Sequence, residues 1–200
     1  MSSAHKRIVG LAGPKGVGKS TFANQLVFEY YQEGLDSMVR VMSFATPLKE
    51  MLGCIVHEDY IKHDKERIIP HLGVSARHCL QTLGTEWGRN TISNDIWVNL
   101  ARHRIEESDS QIFIIDDVRF DNEARMILDL GGEVWNLSRD GVGGQDGHIS
   151  EAGISKELIT KEVNLNEKAA TIEEEDSPAK GKSKKSKGGK GIHEAKKGVS

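Results

Sequence analysis

The chain has 200 residues and is 37% hydrophobic, enough for one domain with its own buried core and no need of metal or disulfide staples. Its formal net charge of -3 hides an asymmetry: residues 178–200 carry eight lysines against the single acid Glu194, leaving -10 on the rest, so a broad nucleic-acid surface on the folded part is excluded and any such contact falls to the tail. Residues 1–7 are too short and polar for a signal peptide and no apolar run approaches the roughly 20 residues of a membrane span, so no membrane partner is expected.

The run Ile8-Val9-Gly10-Leu11-Ala12 predicts a first strand. It leads directly into Gly13-Pro14-Lys15-Gly16-Val17-Gly18-Lys19-Ser20, the pattern G-x-x-x-x-G-K-[ST] of a phosphate-binding loop. Small residues let successive backbone N–H groups converge on phosphate oxygens, and the following helix adds its positive end. Lys19 supplies charge and Ser20 a magnesium ligand, and residues 13–21, Thr21 included, predict an ATP site with Mg2+. That helix is predicted over residues 18–32, with Phe22, Leu26, Val27 and Tyr30 at helical spacing.

Residues 38–44 predict a second strand, and Thr46-Pro47 opens a short helix through residue 51 with Thr46 as its cap. The polar stretch 55–74 reads as helix and loop, a substrate-side insertion. Residues 75–83 read as helix, followed by Gly84-Thr85-Glu86-Trp87-Gly88-Arg89, and Asp95 reads as the cap of a helix carrying Ile96, Trp97, Leu100 and Ile105. An apolar strand over 111–115 ends in Asp116-Asp117, a helix over 121–130 stops at Gly131-Gly132, and 133–138 is a further strand. The glycine-dense stretch 140–147 cannot be regular structure, 158–166 gives at best a strand, and 167–200 is too poor in apolar groups to order. Alternation of strand and helix makes this an α/β chain with a parallel sheet covered on both faces. Cys54 and Cys79 fall in helical-looking segments, which points to unpaired thiols and a cytoplasmic setting.

Phosphoryl transfer asks mainly for positioning and for positive charge around the moving group. The strand ending in Asp116-Asp117 has the pattern that anchors magnesium at the carboxyl edge of a parallel sheet, with Asp116 the metal-side group and Asp117 the alternative helix cap. Arg119 follows that strand and can reach phosphates from the same edge. Lys49, Arg77 and Arg89 are cations where a second substrate would sit.

Five blocks carry a more specific signal: Phe44-Ala45-Thr46-Pro47-Leu48-Lys49, Leu80 through Arg89 (LQTLGTEWGR), Asp95-Ile96-Trp97-Val98, Asp117 through Ala124 (DVRFDNEA) and His148-Ile149-Ser150-Glu151. In this order they closely resemble the bacteriophage-type deoxynucleoside monophosphate kinases. The resemblance covers residues 7 to about 155. It implies a P-loop NTPase fold of the nucleoside monophosphate kinase type, with a five-stranded parallel sheet flanked by helices and a closing lid. It implies transfer of the ATP γ-phosphate to a deoxynucleoside 5'-monophosphate, in host cytoplasm if the source is viral. Arg77, Gln81, Thr85, Glu86 and Arg89 would then serve the monophosphate side with Trp97 supporting that pocket, and Lys19 and Arg119 would act on the transferring phosphate. Arg139 with residues 139–150 would form the lid over ATP. The expected layout is a kinase domain over 1–166 and a Lys-rich tail over 167–200, with a homodimer as one open assembly.

Two departures stand out. Ser20 follows Lys19 where many phage relatives carry aspartate, and the C-terminal part is thin where relatives close with a strand and a helix. The competing readings are another small-molecule P-loop kinase, for example one acting on a coenzyme precursor, and a nucleotide-gated nucleic-acid-binding protein that uses the basic tail.

Overall fold

The computed structural model describes residues 6–142 and 153–166. In chain order these form β1 (Arg7–Ala12), α1 (Lys19–Gln32), β2 (Val39–Met42), α2 (Thr46–Gly53), α3 (Glu58–Lys62), the short strands β3 (Ile68–Ile69) and β4 (Val74–Ser75), and α4 (Ala76–Gln81). A π-helix (Thr82–Ile92), α5 (Ile96–Glu106), β5 (Ile112–Ile115), α6 (Asp121–Asp129), β6 (Glu133–Ser138) and β7 (Lys161–Asn164) follow. Five strands make one parallel sheet in the order β2-β5-β1-β6-β7. The expected architecture is therefore present, and β7, foreseen only as a possible strand, completes the sheet by pairing Trp135 to Ser138 of β6 with Lys161 to Asn164.

Side chains alternate across the sheet and separate the core into two layers. Val9, Leu11, Ile112 and Ile114 face α1, where they meet Phe22, Ala23, Leu26 and Tyr30. Ile8, Ala12, Phe113 and Ile115 face α5 and α6, where they meet Trp97, Ala101, Ile105 and Ile127. The stretch 55–74 packs in a separate small core, where Val56, Ile61 and Ile69 meet Leu52 of α2 and Ala76 of α4. It holds an antiparallel hairpin, Ile68 opposite Ser75 and Ile69 opposite Val74, that its polar composition does not announce.

Two local expectations are corrected. Thr46 does not cap α2: the cap is Ala45, Pro47 is the second helical residue, and the orphan N–H groups of Phe44 and Ala45 donate to the Asp117 carboxylate at 2.8 and 3.0 Å. The side chain of Asp95 stands at the start of α5 without capping it and instead accepts from Asn122 Nδ2 at 2.8 Å. The helix expected over 75–83 also runs on: residues 84–89 lie inside the π-helix.

That π-helix is fitted around Trp97. The indole N–H donates to Gly84 O at 2.9 Å, and a Cβ on Gly88 would stand 2.5 Å from the Trp97 ring. Close approach of ring to backbone is why glycine occupies position 88. Gly88→Ala is therefore expected to overpack this contact and lower the unfolding free energy by about 1–3 kcal/mol, read from urea titrations.

Candidate active site

Carboxyl ends of parallel strands are where open α/β sheets bind ligands, and β1, β2 and β5 all deliver their loops to one cavity of about 490 Å3. The loop after β1 supplies its first wall. Gly13 has φ of 131° and its missing Cβ would lie 2.5 Å from Leu137 O, so only glycine lets the loop turn against β6. Val17 is buried among the residues that face α1 and anchors the loop from behind. Lys15, Gly16, Gly18, Lys19, Ser20 and Thr21 line the cavity, whereas Gly13 and Pro14 border a smaller one of about 290 Å3 that also touches Arg119. Lys19 Nζ donates to Gly13 O at 2.7 Å and Pro14 O at 3.0 Å. The first turn of α1 has no acidic residue and no side-chain cap, which leaves its N–H groups and dipole directed at the cavity.

The end of β5 supplies the second wall. Ser20 Oγ donates to Asp116 Oδ2 at 2.9 Å, so the residues expected to share a metal are in contact. Burial, then the neighbouring Asp117, push the Asp116 carboxyl up, against the pull of Ser20 and Lys49. A carboxylate in that state gains from a cation brought beside it, and a hydroxyl plus a carboxylate suits a hard divalent ion whose remaining ligands are phosphate oxygens and water. Among the described residues no group of three or more His, Cys, Asp or Glu could hold a metal by itself. Asp117 has a different job, accepting from Ser43 Oγ at 2.6 Å as well as from the two backbone N–H groups at α2.

Cations cover the third side. Lys15, Lys49, Lys65, Arg77 and Arg119 all line the cavity. Lys65, which sequence pattern does not single out, is placed by the bond from Arg77 N to Lys65 O at 2.9 Å. Burial lowers its pKa first, and the charges of Lys49, Arg77, Arg119 and Lys15 lower it further. Arg77 Nε is itself paired with Glu66.

Arg77, Gln81, Thr85 and Arg89 lie four residues apart and all reach the cavity. Trp97 lines it too, whereas Glu86 is exposed, outside the lining, with its carbonyl accepting from Thr91 Oγ1. Arg89 is present but engaged: it is 10% exposed, lies 3.9 Å from the Phe120 ring centroid, and its Nη2 donates to Glu123 Oε1 at 2.7 Å. Glu123, 2% exposed, is the carboxylate that the sequence reading passed over. Its second oxygen accepts from the N–H groups of Arg119 at 2.8 Å and Phe120 at 3.1 Å, the reach of a third-position glutamate back to its helix start. Arg139 is exposed, with its guanidinium beside Gly18. Residues 143–150 of the expected lid, with His148, and Glu151 lie outside the described residues, as does the tail from 167.

The family model "Deoxynucleotide monophosphate kinase" matches residues 55–172. The chain belongs to that family. It is 30% identical over 184 residues to a "Putative deoxynucleotide monophosphate kinase" of Acanthamoeba polyphaga mimivirus, covering 84% of this chain and 91% of that protein. It is 31% identical over 113 residues to the "Deoxynucleoside-5'-monophosphate kinase" of Escherichia phage T5, 53% of this chain and 45% of that protein. Against the "Deoxynucleotide monophosphate kinase" of Escherichia phage RB69 it is 30% identical over 106 residues, covering 50% and 43% respectively. The chain thus spans less than half of either phage protein. No helix among the described residues is long and apolar enough to cross a membrane.

In this kinase family member the Glu123 carboxyl is pushed up to about 7, by burial first and then by Asp117, against the pull of the Arg119 N–H and of Arg89. A carboxyl whose pKa is higher in the folded than in the unfolded chain holds more protons when folded, so the stability it confers is full near pH 4 and is lost as pH rises through 7. Denaturant unfolding across that range is expected to show wild type losing on the order of 2–3 kcal/mol relative to Glu123→Gln, which lacks the titration.

Proposed function

We propose that this cavity transfers the γ-phosphoryl group of ATP to the 5'-phosphate of a deoxynucleoside monophosphate, giving the diphosphate and ADP. The observation that carries this reading is continuity: one cavity runs from Lys19 and Ser20, past five cations, to Gln81, Thr85 and Trp97. A donor triphosphate seated on the loop and an acceptor seated on the stripe would then present their phosphates to the same cations. Membership of the family and the names of the mimivirus and T5 relatives support the choice of acceptor.

In this scheme an oxygen of the acceptor phosphate attacks the γ-phosphorus, a new P–O bond forms, and the bond to the β–γ bridging oxygen breaks to release ADP. The loop N–H groups and Lys19 hold the donor phosphates. Arg119 sits between the two substrates and takes up charge on the equatorial oxygens, its backbone fixed by Glu123. Lys49, Lys65 and Arg77 hold the acceptor phosphate, which relieves their mutual repulsion. Ser20 and Asp116 fit a Mg2+ ion, which when bound would neutralise phosphate charge. Arg139, beside Gly18, would close over the donor and keep water from the moving group.

Coupled measurement of ADP release with each of the deoxynucleoside monophosphates tests the reading, and stimulation by none of them would end it. Lys19→Ala is expected to lower kcat by about 10³-fold while leaving the urea midpoint unchanged. Turnover close to wild type would show that this loop does not hold the reacting phosphates.

A further inference from the structure

We propose that the smaller cavity, bordered by the start of the phosphate loop, is a second nucleotide site, which takes a nucleotide with an amino-bearing base and slows phosphoryl transfer by engaging Arg119. Binding stands on the geometry of that cavity, and the effect on turnover rests on the kinase reading above.

The floor is one row of the sheet. Ala12, Asn136 and Glu162 are register partners across β1, β6 and β7, and all three line the cavity. A covered sheet face is apolar at such a row, yet here β6 and β7 place an amide and a carboxylate beside Ala12. The segment that leads into β7 makes a wall. It is tied at Ser155, whose N–H and hydroxyl donate to Asp121, and at Thr160, whose N–H donates to Val134 O at 2.8 Å. Ile154, Lys156 and Ile159 are thereby held on the cavity, and Pro14 and Val118 complete its apolar lining.

Asn136 Nδ2 donates to Glu162 Oε2 at 2.9 Å. A carboxylate only accepts, so this bond fixes the amide with its N–H side toward Glu162 and Oδ1 turned away. Among the described residues neither Asn136 Oδ1 nor Glu162 Oε1 accepts a hydrogen bond. The floor thus offers two fixed acceptors on neighbouring strands, which run about 5 Å apart. An exocyclic amino group meets them with two diverging N–H donors, whereas an oxo group at the same place meets acceptors with an acceptor. Discrimination of this kind comes from fixed polar groups that the wrong ligand leaves unpaired.

The remaining lining says what the amino group is attached to. Lys156 and Arg119 argue against a simple amine, and Glu162 argues against a simple anion. A ligand with N–H donors at one end, a flat apolar middle and a phosphate at the other satisfies all three. Its base lies against Pro14, Val118, Ile154 and Ile159, and its phosphate is held by Lys156 and Arg119. About 290 Å3 is at the small end of ligand pockets and suits the base and sugar, with the phosphates at the two cations.

Among the described residues only Arg119 lines both cavities. A phosphate in the smaller one therefore competes for the cation that the transferring phosphate needs. Gly13 and Pro14, whose carbonyls hold Lys19 Nζ, form part of the same lining. Occupancy acts on the transfer step, so kcat falls while KM for the acceptor stays.

Calorimetric titration of the full-length chain tests the site, with the main cavity first saturated by an adenosine–thymidine pentaphosphate that bridges donor and acceptor positions. The probes are dCTP, which carries an amino group, and dUTP, which carries an oxo group in its place. One dCTP is expected to bind per chain, with dUTP weaker by about tenfold, the worth of one hydrogen bond. Lys156→Glu sets a carboxylate against the phosphate and should weaken dCTP by at least about tenfold. In Glu162→Gln the new amide accepts from Asn136 through its oxygen and turns an N–H donor to the ligand, so the preference for dCTP over dUTP should fall about tenfold. Lys156 and Glu162 are exposed, and both variants are expected to keep wild-type kcat/KM when dCTP is absent. With dTMP as acceptor and ATP saturating, dCTP should lower wild-type kcat severalfold, leave KM for dTMP unchanged, and have no effect on Lys156→Glu. Failure of dCTP to bind beside the pentaphosphate, equal affinity for dCTP and dUTP, or affinities that neither substitution moves would each overturn the site. Bound dCTP that leaves kcat unchanged would overturn its action through Arg119. A chain that binds dCTP as expected but phosphorylates no deoxynucleotide would support the site and sink the kinase reading instead.

Discussion

Four carboxylates within eight residues hold the site together, and each holds a different piece of chain. Asp116 takes the Ser20 hydroxyl at the start of α1, Asp117 takes the Ser43 to Ala45 segment that begins α2, and Glu123 takes Arg89 of the π-helix. Asp121 takes both the N–H and the hydroxyl of Ser155, at 2.8 and 2.6 Å, on the segment that leads to β7. Elements far apart in sequence thus converge on the end of β5 and the start of α6. The arrangement buries negative charge and brings it together: burial first, and Asp117 second, push the carboxyls of Asp116 and Glu123 up. It is tolerated because N–H and O–H donors, and the guanidinium of Arg89, surround the carboxylates.

The cations on the opposite wall are the counterpart of that concentration. Lys65 is pushed down by burial and by four like charges, which is a cost in the folded chain with no ligand bound. A cavity built this way is poised for polyanions: bringing phosphates in neutralises the cations without disturbing Asp117 and Glu123, both of whose oxygens already accept hydrogen bonds from the chain. Asp117 and Glu123 thus hold the protein's own chain, while the cations are left for a ligand.

The fold was legible in the sequence wherever a local pattern decided it. Apolar runs such as Ile112 to Ile115 can only be buried strands, and the loop of residues 13–20 announces both its turn and its chemistry. Two kinds of feature escaped. Where tertiary partners override local chemistry, the pattern misled: Thr46 looks like a cap, but Asp117, brought in from β5, satisfies the N–H groups ahead of α2. Where a charge acquires meaning only from its neighbours, the pattern was silent: Lys65 sits in a polar stretch like many surface lysines, and the Arg77 N–H that fixes it is twelve positions away. Glu123 left a fainter trace, a glutamate at the third position of a helix, but that trace reports a helix start rather than a buried partner for Arg89.

The π-helix shows why the stripe of Arg77, Gln81, Thr85 and Arg89 could be read as a motif but not as a surface. Residues four apart in an α-helix drift by about 40° per step, so Arg77, Gln81, Thr85 and Arg89 would turn through about 120° and leave a common face. A π turn is wider, closing its hydrogen bond one residue later, and rotates such a series the other way. Placing the change at Thr82, just after Gln81, lets the first part of the stripe drift in one direction and the second drift back. All four side chains consequently reach one cavity. The wider turn is held by what packs on it, Trp97 against Gly84 and Gly88 and Arg89 against Glu123, so the geometry of this wall of the cavity depends on contacts from α5 and α6. Binding surface and core are here the same set of interactions, seen from two sides.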